Sequence, residues 1–287
     1  MGVSIEPGVL YVVATPIGNL EDITARARRL LGEVELIAAE DTRHTRALLA
    51  HLGVATPLLS LHEHNERERL ALLVPRLEGG ARIALVSDAG TPLISDPGFA
   101  LVRECHRRGI RVSPVPGPSA LTAALSASGL PTDRFRFEGF LPRTADARRA
   151  RLLELAAETV TLVFYESAHR IAASLADMAV TLGGDRPAVI ARELTKRFET
   201  VRSGPLAALA EAVGADAEQR LGEMVVLVEG LPPPAADAVS PAGLRALAIL
   251  LEELPVKQAA ALAARLTADG RNALYRAALA RREGDDR

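Results

Sequence analysis

Short apolar runs alternate with amphipathic segments through the first 130 residues. The apolar runs lack polar alternation, which predicts strands buried on both faces of a parallel sheet. These runs lie at 8–14, 35–39, 58–60, 83–86 and 111–115. The segments between them show helical periodicity at 25–31, 42–52, 67–77, 99–108 and 121–128. Regular alternation of strand and helix predicts a doubly wound α/β domain, which we place at residues 1–118.

The pattern changes after residue 119, where apolar stretches become fewer and longer. They lie at 135–140, 160–165, 188–194 and 222–230. Strands of this kind can pair as hairpins, so we expect a second α/β domain at 119–231 with a mixed sheet. Prolines at 232–234 predict an extended linker over 232–236.

From Ser240 onward the pattern is wholly helical, with breaks at Pro255 and Gly270. We expect a small helical domain at 238–287. Six basic residues stand against one acidic residue between 254 and 282, a net charge of +5. Two interpretations stay open, a helix-turn-helix-like nucleic-acid contact and a helical cap on a dimer.

Composition narrows the class of protein. Of 287 residues, 48% are apolar and 24% charged, with a formal net charge of -2, so any attraction to nucleic acid must come from local patches. The single cysteine, Cys105, excludes a disulfide framework and a multi-thiolate metal site. The chain has no 18-residue apolar run and no signal-peptide pattern, and we expect a cytoplasmic protein.

Candidate chemistry is concentrated in loops that follow predicted strands. The segment 87–98 contains small, polar, Gly and Pro residues directly after a buried strand, and open α/β sheets bind ligands at that position. No two glycines stand at positions i and i+2, and no G-x-x-x-x-G-K occurs, which excludes a dinucleotide fingerprint and a P-loop. His62 and His64 have no third ligand at a recognisable spacing, so no metal site is predicted.

Six segments together resemble the ribosomal RNA small subunit methyltransferase I family, in the tetrapyrrole-methylase-like superfamily. They occur in the family's order between about Leu10 and Gly230, and Ala168 stands where the family pattern has proline. The segments are Ala14-Thr-Pro-Ile-Gly-Asn-Leu-x-Asp, Glu40-Asp-Thr-Arg-x-Thr, Ser87-Asp-Ala-Gly-Thr-Pro-x-Ile-Ser-Asp-Pro-Gly, Pro116-Gly-Pro-Ser-Ala, Phe164-Tyr-Glu-Ser-x-His-Arg and Arg192-Glu-Leu-Thr-Lys.

The resemblance implies an enzyme that uses S-adenosylmethionine to methylate the ribose 2′-hydroxyl of a cytidine in small-subunit (16S) ribosomal RNA. It also implies a homodimer and a cofactor cleft between two α/β domains. The residues expected to form the cofactor site are Pro16, Ser87, Asp88, Ala89, Gly90, Thr91, Ile94, Ser119, Ala120, Phe164, Tyr165, Glu166, Met224 and Val225.

The acceptor side of the reaction is assigned from residue chemistry. A ribose hydroxyl is a weak nucleophile that needs deprotonation or strict alignment, and Glu193 and Lys196 are the candidates for this role. A structural ion pair is the alternative interpretation of these two residues. The candidate RNA contacts are Asp41, Arg43, Arg46 and Arg197.

Two other functions remain open at this point. A methylase of a small tetrapyrrole would share the fold and the cofactor, although the charged segment 40–46 and the basic tail have no evident use on a porphyrin. A non-catalytic RNA-binding protein would keep the loops without using them for chemistry.

Overall fold

The computed structural model describes residues 6–232, 239–267 and 269–285. Contacts divide the chain into two compact units, residues 1–230 and 231–287. The linker residues 233–236 lie outside the described part. The boundary expected between residues 118 and 119 falls inside the first unit and stays a prediction.

The first five strands form one parallel sheet in the order β3-β2-β4-β1-β5. They are β1 (Val9–Val13), β2 (Leu36–Ala39), β3 (Leu58–Ser60), β4 (Ile83–Val86) and β5 (Arg111–Val115). The connecting helices are α1 (Ala25–Glu33), α2 (Thr42–Leu52), α3 (Glu66–Glu78) and α4 (Phe99–Arg107). The predicted doubly wound architecture is confirmed.

Helices cover both faces of this sheet, which explains its near-continuous apolar strands. Along β1, Tyr11 and Val13 pack in one cluster with α1 and α2, while Leu10 packs in another with α3 and α4. Local caps fix where two helices begin. Thr24 accepts the Ala27 amide at the start of α1, and Asp41 accepts the Arg43 amide at the start of α2.

The second sheet has the order β6-β7-β10-β8-β9 and is mixed, as expected, because only β6 and β7 are parallel. Its strands are β6 (Phe135–Phe140), β7 (Thr161–Ser167), β8 (Pro187–Arg192), β9 (Thr200–Pro205) and β10 (Glu223–Val228). The helices of this part are α5 (Ala120–Ser128), α6 (Ala145–Leu155), α7 (Ile171–Leu182) and α8 (Leu206–Ala215). The sequence interpretation placed no elements at β9 and α8.

The two faces of the second sheet have different partners. Phe164 and Val226 pack with α6, α7 and α8. Val163 and Val225 face the other way and pack with α5. Ile17, from the loop after β1, joins this second cluster, so that loop contacts the same face of the second sheet as α5.

The second unit consists of α9 (Pro241–Glu253), α10 (Val256–Leu266) and α11 (Arg271–Asp285). Its buried residues are mostly small, such as Ala259 and Ala263, together with Leu247 and Leu274. Asp269 accepts hydrogen bonds from both the amide and the hydroxyl of Ser240, which holds the start of α9 to the turn before α11. Within the described residues, no helix is long and apolar enough to cross a membrane.

Candidate active site

A cavity of about 520 Å³ opens where the loops after β1, β2 and β4 meet α5 and the second sheet. Its volume lies in the range of small-molecule and cofactor sites. Many of the residues predicted to form the cofactor site line it: Asp88, Ala89, Gly90, Thr91, Ile94, Ser119, Ala120, Tyr165, Glu166, Met224 and Val225. Chain segments more than 130 residues apart in the sequence therefore contribute to one site.

Three other predicted residues do not line the cavity. Pro16 is buried in the loop after β1. Ser87 is buried, and its hydroxyl oxygen lies 3.3 Å from the carbonyl oxygen of Ala89. Phe164 is fully buried on the opposite face of the second sheet, because neighbouring residues of a strand point to opposite faces. Of the two adjacent aromatic residues, Tyr165 is the one that faces the cavity.

The cavity also has lining residues that the sequence interpretation did not assign. These are Ile17, Glu40, Ser95, Asp96, Phe140, Ser167, Ala191, Leu194 and Glu223. Several lie inside the segments that carry the family resemblance, so the signal for Ile17, Glu40 and Asp96 was present. Others, such as Phe140 and Ala191, reach the cavity through strand register, which needs the paired strands to be known.

Backbone hydrogen bonds join the loops that form the cavity wall. The Thr15 amide donates to the Gly90 carbonyl at 2.8 Å, and the Gly90 amide donates back to Thr15 at 3.0 Å. The Thr91 hydroxyl donates to the Pro118 carbonyl at 3.0 Å. Gly90 has a φ of 81°, in the left-handed region that glycine adopts without strain. The loops after β1, β4 and β5 are thereby held as one surface.

Aromatic rings form the wall opposite these loops. Tyr165 packs edge-on against Phe137 and Phe140, with ring centroids 4.8 and 5.8 Å apart. Its hydroxyl accepts a hydrogen bond from the Leu121 amide at 3.1 Å. This amide lies in the first turn of α5, where backbone amides have no partner within the helix. Phe140 remains 53% exposed at the cavity's edge, so its ring is available to a ligand.

Five acidic residues line the cavity, and three of them, Glu40, Asp88 and Asp96, lie in the loops that follow β2 and β4. Burial raises the pKa of Asp96 to about 6; a hydrogen bond from Ser87 acts against this, and Glu40 and Asp88 add to it. Burial and the neighbouring Asp88 also raise the pKa of Glu40. Asp88 accepts the Asp41 amide at 2.9 Å and so connects the loop after β4 to the start of α2. A cation would find favourable charge here.

Glu193 and Lys196 form an ion pair at the end of β8, with Lys196 Nζ 2.9 Å from Glu193 Oε1 and 2.9 Å from Glu223 Oε2. Burial acts to raise the pKa of Glu193, but bonds from the Glu223 amide and Lys196 outweigh it, so the pKa lies below its ordinary value. Burial likewise opposes the charge of Lys196, and its carboxylate partners raise its pKa. Both groups are therefore held in their charged forms, and neither is among the cavity's lining residues.

The candidate RNA contacts lie outside the cavity lining. Asp41 binds Arg43 through two guanidinium nitrogens, and the Arg43 side chain remains 84% exposed. Arg46 is exposed one turn further along α2. Arg197 is exposed as well, with its guanidinium 5.4 Å from the ring centroid of Phe198, which is itself 63% exposed. An exposed arginine on an exposed aromatic ring is a surface that can contact a nucleobase.

Comparison with known proteins relates the chain to methyltransferases. Residues 9–210 match the family model for Tetrapyrrole (Corrin/Porphyrin) Methylases, and residues 237–282 match the model for the RsmI C-terminal HTH domain. The chain is 58% identical over 275 residues to ribosomal RNA small subunit methyltransferase I of Pseudomonas aeruginosa, covering 96% of this chain and 98% of that protein. It is 54% identical to the protein of the same name from Escherichia coli O157:H7, with 95% of each chain covered.

Solved structures agree on the fold. Uroporphyrin-III-C-methyltransferase from Thermus thermophilus superposes with a TM-score of 0.53 at 22% identity, covering 77% of this chain and 94% of that chain. The cobalt precorrin-4 methyltransferase superposes with a TM-score of 0.55 at 18% identity, covering 77% and 95%. At these identities the likeness establishes the architecture and not the substrate.

Proposed function

Because the chain belongs to the ribosomal RNA small subunit methyltransferase I family, we propose that it transfers a methyl group from S-adenosylmethionine to the ribose 2′-hydroxyl of a cytidine in small-subunit ribosomal RNA. The main support is the cavity, which is lined by acidic and aromatic side chains. The chain that forms it is 58% identical to the ribosomal RNA small subunit methyltransferase I of Pseudomonas aeruginosa.

The residues of the cavity fit a compact cationic cofactor. Carboxylates of Asp88 and Asp96 and the ring of Tyr165 favour a positive sulfonium. Among the described residues that line the cavity, none is Lys or Arg, which argues against a polyphosphate ligand. Gly90 leaves space beside Ile17, since a Cβ added to Gly90 would come within 3.3 Å of Ile17 Cγ2. When bound, S-adenosylmethionine would supply an activated methyl group.

Individual residues then have separate tasks. We assign the loop containing Ala89, Gly90 and Thr91 to contact with the cofactor through its backbone, and the start of α5 at Ser119 to its carboxylate. Glu193 and Lys196 hold the end of β8, with the Lys196 side chain lying against Gly18; a Cβ at Gly18 would be 2.4 Å from Lys196 Cγ. We therefore give this pair a positioning role at the edge of the site.

On the substrate side, we propose assembled small ribosomal subunits, bound by a homodimer in the cytoplasm. Three arginines are exposed and do not line the cavity, so their side chains can contact RNA phosphates: Arg43, Arg46 and Arg197. The second unit brings further exposed basic residues, among them Lys257 and Arg265. Sequence-independent phosphate contacts of this kind position an RNA-binding protein, while the cavity would select the nucleotide.

The direct test is methyl transfer with the purified full chain and tritium-labelled S-adenosylmethionine. Small ribosomal subunits from a strain that lacks this activity should accept label, recovered as 2′-O-methylcytidine after digestion. Subunits from the wild-type strain should accept little, which is the matched control. Transfer to a uroporphyrinogen-type acceptor instead would favour the tetrapyrrole methylase. Tight RNA binding without any transfer would favour the non-catalytic protein.

Replacing Arg43 by Ala tests the RNA surface. We expect weaker binding to subunits. The slope of log K against log salt concentration should become shallower by about 0.7 to 0.9 for each phosphate contact that is lost. The affinity for S-adenosylmethionine, measured by calorimetry, should be unchanged because Arg43 does not line the cavity. Arg134→Ala removes another exposed arginine and serves as control. An equal loss of RNA and cofactor binding would assign Arg43 to the structure of the loop through Asp41.

A further inference from the structure

The function proposed above leaves the acceptor nucleotide without a contact at the cavity itself. The arginines assigned to RNA, Arg43, Arg46 and Arg197, lie outside the cavity lining. We propose that the ring of Phe140 stacks on the base of the acceptor cytidine and so places its ribose at the mouth of the cavity. This inference rests on the proposed function, because it concerns the substrate of the same site.

Phe140 combines an exposed ring with a place on the cavity wall. It is 53% exposed and lines the cavity, and its ring packs edge-on against Tyr165. In the part of the chain that the structure describes, three other phenylalanines are exposed, and none of them lines the cavity: Phe99, Phe135 and Phe198. A ligand that enters the cavity from solvent therefore meets the ring of Phe140 at its edge.

A bulge in β6 is what turns this ring toward the cavity. Phe137 and Phe140 are three residues apart, so in a regular strand they would point to opposite faces of the sheet. Both rings nonetheless contact Tyr165, because the pairing of β6 with β7 skips Glu138 and resumes at Gly139. Gly139 has a φ of 64°, in the left-handed region. Bulges are uncommon between parallel strands, and beside active sites they serve to redirect a side chain.

Ion pairs and hydrogen bonds hold the strand in place on both sides of Phe140. Before it, the Glu138 carboxylate is 7% exposed and accepts hydrogen bonds from Arg151 of α6 at 2.7 and 3.0 Å. After it, the Arg170 guanidinium donates to the carbonyl oxygens of Leu141 and Pro142 at 2.6 and 3.1 Å. The ring is therefore carried on a backbone that is fixed before any ligand binds.

A nucleobase fits this ring better than other parts of an RNA do. Proteins recognise unstacked RNA bases by stacking them on Phe or Tyr side chains. Among the described residues that line the cavity none is Lys or Arg, so we expect the phosphates to stay outside, where Arg143 is exposed three residues beyond Phe140. The 2′-hydroxyl belongs to the same nucleotide as the base. A base held on the ring therefore restricts the positions that this hydroxyl can take.

The substitution Phe140→Leu keeps an apolar side chain and removes the flat ring. We expect kcat/KM for unmodified small ribosomal subunits to fall by about 5- to 150-fold, the range measured when a base-stacking side chain is removed. Phe140→Tyr retains the ring and should stay close to the wild-type value. Phe135→Leu is the matched control, because Phe135 is 44% exposed on the same strand but does not line the cavity. Affinity for S-adenosylmethionine, measured by calorimetry, should be unchanged in all three variants.

A second measurement does not depend on catalysis. The chain contains no tryptophan, so Phe140→Trp introduces a single indole fluorophore at the mouth of the cavity. Titration with a short single-stranded oligocytidylate should quench its fluorescence, because a base stacked on the indole provides a path for quenching. An abasic oligomer of the same length carries the phosphates without the bases and should leave the fluorescence unchanged. Phe135→Trp is the control and should respond to neither oligomer.

Several results would overturn the assignment. An unchanged kcat/KM in Phe140→Leu, or an equal loss in Phe135→Leu, would show that the ring does not contact the acceptor. Loss of cofactor affinity in Phe140→Leu would assign the ring to the adenine of S-adenosylmethionine instead. Absence of quenching by oligocytidylate, or equal quenching by the abasic oligomer, would also contradict stacking. A wild-type chain that binds cofactor but methylates no ribosomal subunit would refute the proposed function, and the fluorescence titration would still decide whether Phe140 stacks on a base.

Discussion

The position of Gly90 has two structural requirements that only glycine can meet together. Its φ of 81° lies in the left-handed region, and its amide and carbonyl both bond to Thr15. A Cβ at this position would approach Ile17 Cγ2 at 3.3 Å, close to the Pro118 carbonyl and Ser119. The residue therefore sets both the shape of the loop and the free space above it.

We predict that Gly90→Val abolishes binding of S-adenosylmethionine while the far-ultraviolet circular dichroism spectrum stays native. The side chain would occupy the space where the loop backbone approaches a ligand, and the change is confined to one loop. Gly53→Val is the matched control, because Gly53 has a φ of 69° but no atom within 4 Å of its Cβ position. It should lose stability and keep cofactor binding. Unchanged affinity in Gly90→Val would mean that the ligand contacts other loops.

Residue motifs indicated which segments meet at the site but not which side chains point into it. Tyr165 and Phe164 are adjacent in one motif, yet β7 sends Tyr165 to the cavity and Phe164 to the core with α6 and α7. Asp96 and Glu40 lie in motifs that carry the family resemblance, but burial and neighbouring carboxylates raise the pKa of each, which no linear pattern contains. Orientation and electrostatics are properties of the packed structure.

At the scale of elements, α6 and α7 are joined by a buried ion pair. Arg148 and Asp177 are each 7% exposed at the side chain and lie 2.6 Å apart, and Arg149 binds the other oxygen of Asp177 at 2.7 Å. Burial acts to raise the pKa of Asp177, but hydrogen bonds from Arg149 and Arg148 outweigh it, so the pKa lies below its ordinary value. The carboxylate stays charged at neutral pH.

We predict that Asp177→Ala lowers the free energy of unfolding by about 3 to 5 kcal/mol, because it leaves the Arg148 charge buried without its partner. Since the folded pKa of Asp177 is depressed, the stabilisation is present above about pH 4, the unfolded value, and is lost as pH falls through the folded pKa. Urea titrations between pH 3 and pH 7 should show the two proteins converging in acid. Glu154→Ala, which removes a 64% exposed partner of Arg151, should cost less than about 1 kcal/mol. A similar cost for both changes would contradict the prediction.

Elements with a strong apolar pattern were predictable, and an edge strand was not. The central strands β1, β4 and β10 are buried on both faces, so their composition is almost wholly apolar. β9 lies at the edge of the second sheet, with most of its side chains exposed, and its sequence Thr-Val-Arg-Ser-Gly-Pro has no apolar run. Its place comes from pairing with β8, a tertiary contact.

At the scale of the whole molecule, the second unit has its own core. Among its leucines, Leu247 and Leu274 are buried in that core, whereas Leu244 and Leu266 are 46% and 71% exposed. The helices pack through small residues such as Ala259 and Ala263, which let their backbones approach closely. Helical periodicity identified the helices, whereas the face that each one buries was decided by packing between them.

Because each of the two units contains a core of its own, the first unit can be tested without the second. We predict that a chain ending at Leu231 folds and binds S-adenosylmethionine with wild-type affinity, since the cavity's lining residues all belong to the first unit. It should methylate small ribosomal subunits poorly. A tethered second contact raises the effective concentration at the RNA, and its loss weakens binding without changing the chemical step.

Charge and architecture can be separated as causes of that deficit. Lys257, Arg265 and Arg271 are exposed on the second unit, and changing all three to Gln keeps its helices and removes three positive charges. If phosphate contacts explain the unit's contribution, the triple variant should reproduce most of the truncated chain's deficit. Both deficits should shrink at low salt, where the remaining basic residues bind RNA more strongly. A truncated chain that loses cofactor binding, or is a monomer where the full chain is a dimer, would instead assign the unit to assembly. Full activity in the triple variant would also assign the unit to assembly, because methylation would then depend on its helices and not on its positive charges.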